Sequence, residues 1–290
     1  MKYLITGADG QLGRALNREL AGDNEITVIN TGRQEKSDIR CLDITDQEGV
    51  NRLVDEERPD VIINCAAHTG VDQCETQEEL AFAINALGPK YLGMAAERIG
   101  AKMIQVSTDY VFDGKQDKPY VETDRPNPQC VYGITKLAGE EQAAKVCSRL
   151  FIVRTAWLYG DGKNFVRTML RLAKEHDHFT VVNDQFGSPT SAAELARMIL
   201  FLVKTERYGI YHGTCEGSTN WYRFAMEIFR QAGIRGLSIR PVPSSEYPQK
   251  AKRPAYSVLE NHRLNTETVY RMKPWKEALE EYMEKERETL

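Results

Sequence analysis

At 290 residues, with 41 % hydrophobic and 28 % charged side chains, the chain can bury a sizeable core, which excludes a small disulfide scaffold and a disordered polymer. Thirty-eight basic against 42 acidic side chains leave a formal charge of −4, so no bulk attraction to nucleic acid or an anionic membrane is expected. Cys41, Cys65, Cys74, Cys130, Cys147 and Cys215 form no Cys-x-x-Cys pair, so the expectation is reduced thiols in the cytoplasm and no zinc site. No stretch approaches the ~20 apolar residues that span a bilayer, and the short apolar start before Gly7 reads as a strand and not as a signal peptide.

In chain order, the first apolar run, Tyr3–Thr6, leads directly into Gly7-Ala8-Asp9-Gly10-Gln11-Leu12-Gly13, which opens an amphipathic segment over Leu12–Leu20. Glycines between a first strand and a first helix permit a tight turn and close approach of a pyrophosphate to free helix N–H groups. Gly7, Gly10, Gln11, Leu12 and Gly13 are therefore candidate cofactor residues. The second run, Ile26–Ile29, ends at Asn30-Thr31-Gly32-Arg33, where a carboxylate would bind the ribose of NAD. Asn30 supplies no carboxylate and Arg33 can pair with a 2′-phosphate, so NADP(H) is the preferred cofactor, with NAD(H) not excluded. The alternative for Arg33 is a solvated surface side chain.

Further runs at Asp60–Cys65, Met103–Ser107 and Phe151–Val153, with a helix-length segment at Leu80–Ile99, extend the alternation to Thr155. Continuous apolar strands alternating with helices predict an α/β fold, a doubly wound parallel sheet of Rossmann type over residues 1–155. Tyr132-Gly133-Ile134-Thr135-Lys136 then leads into strong helix formers. Residues four apart share a helix face, so the Lys136 ammonium is expected to sit beside the Tyr132 phenol and lower its pKa, making Tyr132 a general acid. A second Tyr-x-x-x-Lys at Tyr159–Lys163 contains Gly160 and Gly162 and reads as a loop. Thr108 closes Val106-Ser107-Thr108 at the carboxyl end of a strand, where such folds bind ligands, and its hydroxyl can reach substrate or Tyr132.

Beyond Thr155, Gly160, Gly162, Gly187, Pro189, Gly213 and Gly217 break the chain into a smaller, loop-rich lobe over 156–290, with some segments expected to return to the main sheet. Residues 274–288 read as a charged, solvated terminal helix. Trp157 is either a sugar-stacking surface or a side chain that packs the two lobes together.

Taken together, Ser107-Thr108-Asp109-Tyr110-Val111-Phe112-Asp113-Gly114, the Tyr132/Lys136 pair, Arg154-Thr155-Ala156-Trp157-Leu158-Tyr159-Gly160 and Arg253-Pro254 resemble the dTDP-4-dehydrorhamnose reductases, a family of extended short-chain dehydrogenases/reductases. The resemblance runs from Met1 through the Arg253 region. It implies NADPH-dependent reduction of the C4 keto group of dTDP-4-dehydro-β-L-rhamnose, giving dTDP-β-L-rhamnose for cell-surface polysaccharide. It also implies that Tyr132, Lys136 and Thr108 are catalytic, with Tyr132 and Lys136 touching cofactor as well. By the same resemblance, Asp43, Ile44, Ala66, Ala67 and His68 wall the adenine and ribose, and Thr108, Asp109, Trp157 and Arg253 meet the nucleotide sugar. Some members are magnesium-dependent dimers, but their acidic cluster has no match here, so magnesium and a homodimer both stay open.

Three other readings compete. Nucleotide-sugar dehydratases of this fold carry an Asp-Glu pair after the threonine, whereas Asp109 is followed by Tyr110. Epimerases carry an acidic residue where Asn30 stands. A non-catalytic regulatory subunit like the β subunit of methionine adenosyltransferase also resembles this family. Turnover of NADPH by the purified chain distinguishes it.

Overall fold

The computed structural model describes residues 1–247 and 249–289. Its centre is a seven-stranded parallel sheet built from β1 (Lys2–Thr6), β2 (Thr27–Gly32), β3 (Arg40–Cys41), β4 (Val61–Asn64), β5 (Lys102–Thr108), β6 (Leu150–Thr155) and a strand at Gly209–His212. Their order across the sheet is Gly209–His212, β6, β5, β4, β1, β2, β3. The chain leaves β1 toward one edge and returns to the other side of it through β4, which opens a crevice at the carboxyl ends of these strands.

The central strands are apolar on both faces because both faces are covered. Tyr3 and Ile5 point into one core with helix α1 (Gln11–Leu20) and the helix Ala192–Leu202, where Leu16, Leu195 and Ile199 are fully buried. Leu4, Ile62 and Met103 point into the other, with helix α2 (Gln47–Glu57) and the helices Gly88–Ile99 and Val131–Val146. This two-sided burial explains why the strands read as uninterrupted hydrophobic runs.

The helical segment expected over Leu80–Ile99 is one helical stretch with a defect. It runs Glu78–Phe82, passes through a π-helical turn at Ala83–Leu87 and continues as Gly88–Ile99. The extra residue of the π turn lets Asn85 point inward. Gly88 comes so close to Ile44 that a Cβ would lie 2.5 Å from Ile44 Cδ1.

A third core lies under the helices Phe165–Glu175, Trp221–Ala232 and Trp275–Thr289, beside the parallel pair His178–Val182 and Ser238–Val242. The expectation of a solvated terminal helix is wrong. Trp275, Ala278, Leu279 and Met283 are buried in that core, and Arg167 holds Glu286 through two hydrogen bonds of 2.8 and 2.7 Å. The helix is amphipathic, and its many charges mask a narrow apolar stripe in a composition-based reading. The second Tyr-x-x-x-Lys is a loop: Tyr159 ends a two-residue strand, and Gly162 has φ +94°.

Candidate active site

At the first βα turn, Gly7 has φ +61° and a Cβ there would meet Ala66 N at 2.8 Å. A Cβ on Gly13 would lie 2.5 Å from Ala8 Cα, so both positions require glycine for space. Gly10 caps α1 without a side-chain hydrogen bond, which leaves the N–H groups of the first turn without a side-chain partner. A cradle without Cβ atoms over free helix N–H groups fits a pyrophosphate. Gln11 borders it, with Oε1 buried and unpartnered. The Leu12 side chain is core, so only its backbone can face a cofactor.

The structure redistributes the second-strand residues. β2 continues through Gly32, three residues past the apolar run, and places Arg33 exposed at its end. Asn30 is spent elsewhere: its amide exchanges two 2.8 Å hydrogen bonds with Asn17 on α1. Lys36 is a second cation here, which the sequence reading passed over. Its Nζ donates to Asp9 Oδ2 at 2.7 Å, and this bond holds the Asp9 carboxyl below its ordinary pKa. Asp43 closes its own turn by accepting from Thr45 N and Oγ1, while Ile44 is buried beneath Gly88. Asp43 is exposed and keeps Oδ2 open beside this turn. Ala66, Ala67 and His68 follow β4 directly and are partly exposed.

The proposed catalytic residues converge. Thr108 ends β5, and its Oγ1 donates to Asp109 Oδ1 at 3.0 Å and accepts from Tyr110 N at 3.2 Å. Tyr132 lies in the first turn of the helix Val131–Val146, beside Thr108 and edge-on to Tyr110 at 5.4 Å. The helix approaches this closely because Gly133 has no Cβ, which would lie 2.2 Å from Tyr110 O. Burial, with Asp109 adding to it, raises the Tyr132 phenol above its ordinary pKa.

Lys136 is one turn further on and buried. Its Nζ donates to the Val106 carbonyl at 2.6 Å, and burial lowers its pKa to about 8. Its neighbours in charge are Glu140 and Cys65. A helix face puts Tyr132 and Lys136 on one side, yet the carbonyl of β5 captures the ammonium first.

Two groups missed by the sequence reading hold this set in place. Asn85, in the π turn, accepts from His68 N at 2.8 Å and donates to Thr135 Oγ1 at 3.1 Å, tying the loop after β4 to the catalytic helix. Glu140 receives Arg154 through Nε at 2.9 Å and Nη2 at 2.6 Å, and also Ser107 Oγ at 2.5 Å, all inside the protein. Helix periodicity could have flagged Glu140, which lies one turn beyond Lys136. Nothing in the sequence announces a π turn.

On the side of the second lobe, Trp157 has φ +48° and stacks on Trp221 with ring centroids 3.5 Å apart and planes at 7°. Gly187 packs against its indole, where a Cβ would lie 2.5 Å from Cε2. The ring remains partly exposed. Arg253 donates to Tyr110 OH at 3.0 Å and Asp72 Oδ2 at 3.1 Å, leaving a buried Nε without a partner above a cavity shared with Gln129 and Cys130. Asp109 lies deeper than an open contact would, 2 % exposed, with Oδ2 buried and unpartnered.

Known proteins share this fold. A crystal structure of a dTDP-4-dehydrorhamnose reductase from Clostridium acetobutylicum superposes with a TM-score of 0.94 at 50 % identity, covering 99 % of this chain and 100 % of that one. The Bacillus anthracis dTDP-4-dehydrorhamnose reductase, solved in complex with NADP, gives 0.92 at 40 % identity over 98 % and 99 % of the two chains. The Escherichia coli dTDP-4-dehydrorhamnose reductase is 42 % identical over 92 % of this chain and 90 % of its own length. The family described as RmlD substrate binding domain matches residues 1–288, and the chain belongs to that family.

Proposed function

We propose that this chain is an NADP-dependent oxidoreductase that reduces the C4 keto group of dTDP-4-dehydro-β-L-rhamnose to give dTDP-β-L-rhamnose. The observation that carries the reading is the convergence of Thr108, at the carboxyl end of β5, with Tyr132 in the first turn of the helix Val131–Val146 and Lys136 one turn further on. The Bacillus anthracis relative's complex with NADP supports NADP(H) as the preferred cofactor, and neighbours of the fold solved with NAD keep NAD(H) within reach.

NADPH, when bound, supplies the hydride that the keto carbon accepts. Gly7, Gly10, Gln11 and Gly13 would hold its pyrophosphate, with the backbone of Leu12, while Ala66, Ala67 and His68 would border it. Arg33, joined by Lys36, would meet a 2′-phosphate. Lys136 would hold the nicotinamide ribose while remaining anchored to Val106. Tyr132 donates the proton to the oxygen at C4. Its raised pKa keeps the proton in place until negative charge develops on that oxygen, where a positioned general acid is most useful. Thr108 would orient or tune the Tyr132 and Lys136 pair.

Trp157 and Arg253 are assigned to the nucleotide sugar. The partly exposed indole offers a flat apolar face to a 6-deoxy sugar, and the unpartnered Nε of Arg253 offers a donor. Of Asp109, only Oδ2 is left for a sugar hydroxyl. We assign residues 1–155 to cofactor and catalysis and most of 156–290 to the sugar, with Ala192–Leu202 and Gly209–His212 serving the large sheet. The reading puts the chain in the cytoplasm. Free thiols at all six cysteines support a reducing compartment, and among the described residues no helix is long and apolar enough to cross a membrane.

A panel of dTDP-, UDP- and GDP-4-keto sugars, with NADPH oxidation as readout, tests the function. The dTDP sugar should be turned over fastest. No oxidation with any of the three would return the chain to the regulatory-subunit reading.

A further inference from the structure

The end of β2 carries no carboxylate of its own, although folds of this type use one there to bind the adenosine ribose of NAD. The tertiary structure brings one to that place from another strand. Asp9, in the glycine-rich loop after β1, lies beside Gly32, the last residue of β2: a Cβ on Gly32 would be 3.6 Å from Asp9 Oδ1. The loop is fastened here, since Ala8 N donates to the Thr31 carbonyl at 3.0 Å and Arg14 Nε donates to the Asp9 carbonyl at 2.9 Å. A charge of each sign therefore borders Gly32, with the Asp9 carboxylate beside it in space and Arg33 next in the chain.

The carboxylate is not bare, because Lys36 Nζ donates to Asp9 Oδ2 at 2.7 Å. A tight turn presents the lysine: Lys36 N donates to Ile39 O at 2.9 Å, and Ile39 N donates to Lys36 O at 3.3 Å. Ile39 in turn packs on Gly32, where a Cβ would lie 3.1 Å from Ile39 Cγ2. The Lys36 and Asp9 side chains are 46 % and 42 % exposed, so their ion pair adds little to stability. What it changes is the charge that a ligand meets at the end of β2.

We propose that Asp9 reads the 2′ position of the adenosine ribose and that Lys36 decides which cofactor Asp9 admits. The inference rests on the reading of this chain as a dinucleotide-dependent reductase. With Lys36 in place the carboxylate is neutralised. An ammonium has three donors, and Asp9 occupies one of them, so a 2′-phosphate can take up the others while Arg33 attracts it as well. A 2′-hydroxyl donates to the carboxylate instead. Lys36 and Arg33 thus favour the phosphate and Asp9 favours the hydroxyl. A phosphate and a bare carboxylate repel each other, so Asp9 discriminates against NADPH and Lys36 cancels the discrimination.

Isothermal titration of the purified chain with NADPH and with NADH reads this without turnover. Asp9→Asn should bind NADPH about threefold tighter and NADH about threefold weaker. Lys36→Met keeps the aliphatic stem and uncovers the carboxylate, so NADPH should weaken by about tenfold while NADH stays within about threefold. Adding Asp9→Asn to Lys36→Met should restore NADPH binding by about tenfold. That is a larger gain than the same change makes in the unmodified chain, because only without Lys36 is the carboxylate bare. Both side chains are exposed, so melting temperatures should stay near that of the unmodified protein.

Equal weakening of both cofactors by Asp9→Asn would make Asp9 a residue that only shapes the loop and would overturn the proposal. Strict additivity of the two substitutions would overturn it too, since Lys36 would then act on the phosphate without Asp9. A chain whose variants follow the expected order of affinities but which reduces no keto sugar supports the assignment of Asp9 and overturns the reductase reading. A chain that binds neither cofactor overturns both.

Discussion

The chemistry of the site depends on a few side chains whose neighbours decide what they can do. Tyr132 is kept protonated by burial, so removing its hydroxyl should leave the pocket intact and remove the proton. Tyr132→Phe is expected to lower kcat by ~10²–10⁴-fold, with NADPH titrations unchanged. Turnover near that of the unmodified enzyme would sink the assignment. Arg33 is different in kind, because it is exposed and acts through a screened charge. A pair between guanidinium and 2′-phosphate is worth about 1.5 kcal/mol at the low end, which predicts a preference for NADPH over NADH of about tenfold. Arg33→Ala should erase most of that preference when both dissociation constants are measured. Retention of the full preference would shift the role to Lys36. The placement of Tyr132, Thr108 and Arg33 was legible in the sequence, because their positions follow from strand ends and helix starts. The bonds from Asn30 to Asn17 and from Lys136 to Val106 were not, because competing hydrogen bonds are tertiary facts.

At the level of elements, the catalytic helix Val131–Val146 is placed by two missing side chains. Gly133 lets it approach the Asp109–Val111 turn, and Gly139 lets it approach the π turn, where a Cβ would lie 2.0 Å from Asn85 O. Neither contact can be relieved by rotating a flexible side chain, since each would be against backbone oxygen. Gly139→Ala should therefore push the helix away from Asn85 and cost about 1–3 kcal/mol despite the better helix propensity of alanine. A thermal melt beside steady-state kinetics checks this, and Tm and kcat should fall together. A variant that melts higher than the unmodified chain would show that the helix has room to spare. The alternation of strands and helices was legible from the sequence because buried parallel strands leave unbroken apolar runs. Two strands without that signature, the two-residue β3 and Gly209–His212 from the far lobe, were not legible, and neither was the docking of the terminal helix through Trp275, Leu279 and Met283.

For the whole molecule, the two parts of the chain are joined through the large sheet, because Gly209–His212 crosses back to pair with β6. The last residue of that strand, His212, is fully buried; its Nδ1 meets the Glu260 carbonyl at 3.0 Å and its Nε2 has no partner. Burial, with the Arg154 charge adding to it, lowers its pKa to about 3 from an ordinary 6.5. Between those values the unfolded chain takes up a proton that the folded chain refuses, so acidification draws the equilibrium toward unfolding by up to about 1.4 kcal/mol per pH unit for this one group. The loss begins as pH drops below 6.5 and continues toward 3. His212→Asn, which keeps an amide donor near the Glu260 carbonyl, should flatten the fall in stability measured by urea unfolding between pH 6.5 and 4.5. Asp109 works in the opposite direction, but it is common to both proteins and cancels in the comparison. Parallel slopes would clear His212 of this role. A single neutral imidazole at the sheet edge would otherwise make mild acid a solvent that loosens the seam between cofactor and sugar halves before either half loses its own core.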